Sequence, residues 1–309
     1  MSFKINAIRI ATLAVFVMSC KGSSEKKDIS KIEETISPGL IFTTTDDLAE
    51  ATENFEKYVS TDRTLEVSTE INHVENAKNV DLDLDFNRVY FIDNPRYSIP
   101  LIAENPLMAL EFPIRIGFYD VKGDKFIVAR SEDYFLKRYK LPKSAALRSI
   151  GALSETFLKQ SSKAAYTQNS PIDSLENNGI ITLKSDKNYE ESVASIKQVI
   201  EDNENLSLFE SKDFAKDAKE IGVELQPLHL LMFGNPKAGT QLMQQNANFS
   251  IDLPIKVIVQ ETEDETVMIH FQDISFTSTL HNEEFEGNVP KKITQTIESM
   301  LTKATSAGK

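Results

Sequence analysis

Three short matches at one spacing dominate this 309-residue chain. Asn94-Pro95 returns as Asn235-Pro236, Asn105 as Asn246 and Pro113-Ile114 as Pro254-Ile255, each pair 141 residues apart (235 − 94, 246 − 105, 254 − 113). One offset kept without a gap across all three indicates a duplicated domain, because so long a period lies outside those of solenoids and propellers. Two domains also suit the length, and each copy is large enough to bury a core of its own.

The hydrophobic periods repeat in the same order. Leu40-Ile41-Phe42 and Ile181-Thr182-Leu183 are short β runs, and Leu48, Phe55, Tyr58 and Val59, then Tyr189, Ile196, Val199 and Ile200, fall on one helical face. Second strands are predicted from Leu65 to Ile71 and from Leu206 to Glu210. The denser runs Phe86 to Ile92 and Leu228 to Phe233 predict the central strands. Asn105 and Asn246 stand where the next short helices should end, in the left-handed conformation that Asn tolerates. Alternation along Ile114 to Tyr119 and Ile255 to Gln260 predicts strands with one buried face, each followed by a hairpin. An amphipathic helix closes each copy: Ala146, Ile150, Leu153 and Phe157 match Ile293, Ile297, Met300 and Ala304 at an offset of 147 (293 − 146), so six residues have been gained, placed in a loop near Leu280 to Pro290. The first repeat is therefore read over 32–160, a linker over 161–174 and the second repeat over 175–305. Tyr119 and Ile258 lie on the outward sides of their strands. Large apolar groups there favour an interface over solvent. The repeats are expected to pack as a pseudo-symmetric pair, with the ligand site in the cleft between them.

Residues 1–19 have another character. Lys4 and Arg9 precede an apolar run from Ile10 to Met18, too short for a span of roughly 20 residues. The run leads through Ser19 to Cys20, the single cysteine of the chain. This segment resembles a bacterial lipoprotein signal, which implies cleavage before Cys20 and acylation there; two or more acyl chains hold a protein on a membrane where one does not. Residues 20–31 read as a flexible polar tether. Lys21 after Cys20 resembles lipoproteins sent to an outer membrane, with the body outside the cytoplasm. A lone cysteine leaves no internal disulfide and no second thiol for redox chemistry. The net charge of −13, or −15 once Lys4 and Arg9 are removed (−13 − 2), repels nucleic acid and anionic headgroups. Proteins, cations or neutral molecules are the expected partners.

The stretch Phe233 to Thr240 (Phe-Gly-Asn-Pro-Lys-Ala-Gly-Thr), with Leu242-Met243 and Asp252-Leu253-Pro254-Ile255 after it, resembles the signature of the bacterial family catalogued as domain of unknown function 302. Ile71-Asn72-His73 and Glu132 to Tyr139 resemble two further stretches of that family. The resemblance implies an α+β fold in which each of two tandem copies is an antiparallel sheet with helices on one face, similar to the half-unit of TATA-box-binding proteins. It implies no activity and no cofactor. The first copy has Asp93 and Ser98 where the second has Gly234 and Gly239, and the second has Phe214 where the first has His73. A family site that needs all these features is then assembled between the copies, or lost.

The site candidates follow. Asn94, Asn105, Asn235, Lys237, Gly239 and Asn246 are the binding candidates, grouped around the two Asn-Pro turns, where capping and turn formation is the plainer role. His73 is the weak catalytic candidate, with no serine or carboxylate at readable spacing to complete a triad. No local metal motif is present, although His229 and His270 sit on strands where they could meet across a sheet. Glu111 with Arg115 and Asp252 with Lys256 read as solvated ion pairs worth under about 1 kcal/mol. The resulting expectation is a cell-envelope lipoprotein whose two domains form a non-enzymatic ligand-binding or protein-interaction module. The alternative is a hydrolase-like enzyme using His73 at a site formed between the repeats.

Overall fold

A computed structural model describes residues 35–162 and 168–307. The expected signal segment, Cys20 and the tether lie outside the described residues. The first repeat runs β1 (Leu40–Thr44), α1 (Leu48–Thr61), β2 (Glu66–Asn72), α2 (His73–Lys78), β3 (Asn87–Asp93), α3 (Pro95–Glu104), a 3-10 turn (Pro106–Glu111), β4 (Ile114–Val121), β5 (Asp124–Arg130), α4 (Glu132–Tyr139) and α5 (Ala145–Ser161). After the two-residue β6 (Gln168–Asn169), the second repeats that order: β7 (Ile180–Lys184), α6 (Tyr189–Glu201), β8 (Ser207–Asp213), α7 (Phe214–Glu220), β9 (Leu228–Gly234), α8 (Pro236–Gln245), a 3-10 turn (Ala247–Asp252), β10 (Ile255–Glu261), β11 (Val267–Gln272), α9 (Ile274–Leu280) and α10 (Val289–Thr305). Local chemistry sets the helix starts. Asp47 accepts from the Ala49 and Glu50 N–H groups at 2.8 and 3.1 Å ahead of α1, and Ser144 accepts from Leu147 at 3.1 Å ahead of α5.

Both sheets are antiparallel and share one strand order, β2-β3-β4-β5-β1 in the first repeat and β8-β9-β10-β11-β7 in the second. The α+β class read from the sequence is the observed one. β3 and β9, expected at the centre, stand second from one edge, and β4 and β10 occupy the middle. β3 is apolar on successive residues because both its faces are covered: Tyr90 and Ile92 enter the helix-packed core, while Val89 and Phe91 meet the other repeat. The segment after α5 does not run free throughout. β6 adds to the edge of β1, Ser170 donates to the Leu40 carbonyl at 2.8 Å, and Ile172 is buried.

The repeats pack sheet against sheet. Ile71, Val89 and Phe91 cluster with Met232, Tyr119 and Val128 cluster with Ile251, and Ile258 joins the first repeat's core. The outward positions of Tyr119 and Ile258 are thus the interface. Tyr119 donates its hydroxyl to Asn248 Oδ1 at 2.5 Å, and Thr69 donates to Glu210 Oε2 at 3.1 Å. Thr69 and Glu210 are equivalent positions (210 − 69 = 141), so the pseudo-two-fold axis passes between them. The short helices are exchanged across it: α2 packs on α8, and α7 packs on α3. Among the described residues, no helix is long and apolar enough to cross a membrane.

Candidate functional site

The two ion pairs read as solvated lie at the heart of this interface. Glu111 and Arg115 are in contact with side chains 1% exposed each, because Glu111 sits in the turn before β4 and the other repeat covers both. Glu111 also accepts from the Tyr139 hydroxyl at 2.6 Å, the Tyr134 hydroxyl at 3.0 Å and Arg138 Nη1 at 3.1 Å. Arg115 crosses to the Ile251 carbonyl at 2.7 Å. Asp252 does not pair with Lys256. It binds Arg130 Nη2 through both oxygens at 2.6 Å and His281 Nε2 at 2.7 Å, while the Lys256 ammonium nitrogen donates across the interface to the Phe112 carbonyl at 2.9 Å. Burial alone would raise both carboxyls, but Arg115 and Arg138 hold Glu111 below its ordinary value, and Arg130 and His281 hold Asp252 well below. Burial, with Arg115 adding to it, pulls Lys256 well below the usual lysine range. This network fixes the register of the two repeats, since any slip leaves a buried charge without its partner.

The cavity lies beside this network, not in it. About 490 Å³ opens in the second repeat between α8, α10 and the β8–β9 edge, a size suited to a small ligand. Leu242, Met243, Leu253, Ile293 and Ile297 wall it, and a bulge in β8 between Leu208 and Glu210 brings Phe209 onto the lining. Ile71 and His73 enter from the first repeat. The matching place in the first repeat is closed to about 10 Å³. Its lining residues Leu65, Ile92, Phe112 and Ile114 correspond to Leu206, Phe233, Leu253 and Ile255 of the open cavity, each at the offset of 141. Among the side chains that differ, Tyr97 stands where the second repeat has the much smaller Ala238 (238 − 97 = 141). The cavity wall draws on both copies, with Gly234 and Gly239 from the second repeat and Ile71 and His73 from the first.

His73 opens α2, whose cap Asn72 accepts from the Glu75 N–H at 3.3 Å. Its imidazole is buried, and burial pushes its pKa down to about 3, so it is neutral at ordinary pH. Nε2 is buried and has no hydrogen-bond partner among the described residues. Among the described residues the lining holds no carboxylate, serine or cysteine, and its one hydroxyl is that of Thr296.

Of the six binding candidates, Asn235 and Gly239 line the cavity. Asn235 caps α8, accepting from the Ala238 N–H at 3.1 Å, and Asn94 caps α3 in the same way, from Arg96 at 2.9 Å. Gly239 lies inside α8 and needs no unusual backbone, so the turn freedom expected of it is not used; a Cβ there would stand 3.5 Å from Leu253. Asn105 and Asn246 are extended, with φ of −152° and −144°, because each caps the following 3-10 turn instead of ending its helix left-handed. Lys237 is exposed and away from the lining. His229 and His270 do not meet. They pair with Val259 and Ile258, neighbours on β10 that face opposite sides of the sheet. Among the described residues, no cluster of His, Cys, Asp and Glu could hold a metal ion. Ala238 and Lys292 escaped the sequence reading; setting the repeats side by side and asking where a large residue becomes small would have found Ala238.

The sequence profile described as "Domain of unknown function DUF302" matches residues 41–156 and again 181–304. Similar curated proteins include the fluoride-specific ion channel FluC 1 of Brucella suis biovar 1, 28% identical over 133 residues, which are 43% of this chain and 52% of that protein. The fluoride-specific ion channel FluC 1 of Brucella abortus biovar 1 and FluC 2 of Brucella melitensis biotype 1 match equally, at 28% over 133 residues and 49% of their lengths. The chain thus spans about half the length of the curated relatives it matches. Among solved structures, an uncharacterized conserved DUF302 protein from Bacillus stearothermophilus is 17% identical, with 41% of this chain and 95% of that one covered at a TM-score of 0.35.

Proposed function

Since the chain belongs to the DUF302 family through both of its repeats, we propose that it is a binding module whose second repeat holds a small, largely apolar molecule, while the first repeat braces that site and lends it His73. The supporting observation is the contrast between copies: one fold, with about 490 Å³ open beside Ala238 and about 10 Å³ beside Tyr97. Among the described lining residues no carboxylate is present to orient His73, which favours binding over hydrolysis. The channel named in the curated relatives is not carried over, because half of each of those proteins has no counterpart here. Ala238→Tyr places in the second repeat the ring that closes the first. Native mass spectrometry of the purified wild-type protein is expected to show a small-molecule adduct that Ala238→Tyr lacks. An adduct of equal occupancy in both proteins would reject this cavity as the site.

The same reading places the module at a membrane, held through lipid on Cys20 at the outer membrane with its body outside the cytoplasm. The apolar run ending at a lone cysteine supports it. Phase separation in detergent checks this. The wild-type chain is expected in the detergent phase and Cys20→Ala in water or as uncut precursor. Unchanged partitioning of Cys20→Ala would remove the anchor.

A further inference from the structure

Acidic side chains outnumber basic ones 47 to 34 in this chain. The cavity escapes that balance. Among the described residues no carboxylate lines it, and Lys292 is the single formal charge on its wall, His73 being neutral. Lys292 stands in the first turn of α10, next to Lys291, and that turn carries no acid. The N-cap of α10, Asn288, makes no capping hydrogen bond with its side chain. Helix starts ordinarily carry a side-chain acceptor or an acid, because their open N–H groups form a partial positive charge. In α10 a 3-10 turn (Glu286–Asn288) runs directly into the helix and Pro290 brings no N–H, so the positive charge at this end is that of the lysines.

The apolar part of the wall continues from that end. Val289, Lys292, Ile293, Ile297 and Met300 all line the cavity, so one face of α10 runs from its positive end along about 10 Å of aliphatic surface, at 1.5 Å per residue from Ile293 to Met300. Lys292, Thr296 and Met300 also border a shallow groove on the outer side of the helix, which places them at the cavity's opening. A neutral apolar ligand would use the wall and leave the lysine idle. A chain with net charge −13 repels anions unless a local cation offsets it, and on this wall that cation is Lys292.

We infer that the cavity takes a single-chain amphiphile with an anionic head, its acyl chain along Ile293, Ile297 and Met300 and its head at Lys292. This rests on the cavity being the binding site, and it reverses, at this one place, the expectation drawn from net charge. Carboxylate and phosphate heads share the required chemistry.

Calorimetric titration of the full chain with decanoate, decyl phosphate and decanol, each below its micelle concentration, tests it. At least one anionic probe is expected to bind about tenfold more tightly than decanol, with an advantage that shrinks as salt is raised. Whichever of the two binds better identifies the head. Lys292→Gln is expected to abolish that advantage and leave decanol unchanged. Decanol binding as tightly as both anions, with Lys292→Gln without effect, overturns the anionic head and leaves the cavity reading standing. Affinities unchanged in Ala238→Tyr, or no binding of any probe, overturn the cavity reading itself. Should Ala238→Tyr fail to fold, methyl resonances locate the ligand: decanoate is expected to shift Met243 and Met300, which line the cavity, and not Met108, buried in the first repeat's core. A shift confined to Met108 overturns the assignment.

Discussion

Glu111→Ala is expected to remove about 3 to 5 kcal/mol from the free energy of unfolding, because it strips one carboxylate from two buried guanidinium groups and two buried hydroxyls at once. Arg115, Arg138, Tyr134 and Tyr139 all deliver hydrogen bonds to this side chain, and none of the four is exposed to water that could replace it. Urea unfolding at neutral pH measures the loss. A change below about 1 kcal/mol, the value of an exposed pair, would mean that water reaches the interface. The pH dependence has a definite sign. Burial works to raise the Glu111 carboxyl, but the arginines outweigh it and its folded value lies below the ordinary one. Its contribution is therefore complete above the unfolded-state value and fades only as pH falls through the lower, folded value. The stabilities of wild type and variant should converge only in acid, below the ordinary carboxylate range.

Tyr97→Ala should open in the first repeat the cavity that the second already has. Tyr97 is only partly buried, so the loss of stability is set at about 2 to 3 kcal/mol, toward the low end for removing an aromatic ring. Binding is the more telling readout. Decanol is expected to fill two sites per chain instead of one, while the new site gains nothing from an anionic head, because the position matching Lys292 is Ala145 (292 − 147 = 145). Calorimetric stoichiometry decides it. One site per chain in Tyr97→Ala would show that another group, such as Phe214 in the place of His73, closes the first repeat on its own.

Much of the fold was legible because it depends on local periodicity. The alternation of Ile114, Ile116 and Phe118 marks β4, the spacing of Ala146, Ile150, Leu153 and Phe157 marks α5, and the 141-residue offset carries both into the second copy. The short helices α2 and α7, with one or two buried apolar residues each, leave too little pattern to read, and they are the elements exchanged between repeats. The Asn-Pro turns were visible as helix starts. Asn105 and Asn246 were placed at the right boundary and given the wrong conformation, since a cap for the next turn and an end for the last one use the same residue type.

What the sequence by itself determined is the duplication, the α+β class and the outward apolar positions that had to be covered. What only the tertiary structure decided is the environment of each charge and the company of each site residue. Glu111 and Arg115 have the same spacing whether they lie in water or beneath another sheet, and the energy differs several-fold because the sister repeat removes the solvent. His73 is 165 residues from Ala238 (238 − 73), and they line one cavity only because α2 crosses the pseudo-two-fold axis to pack on α8.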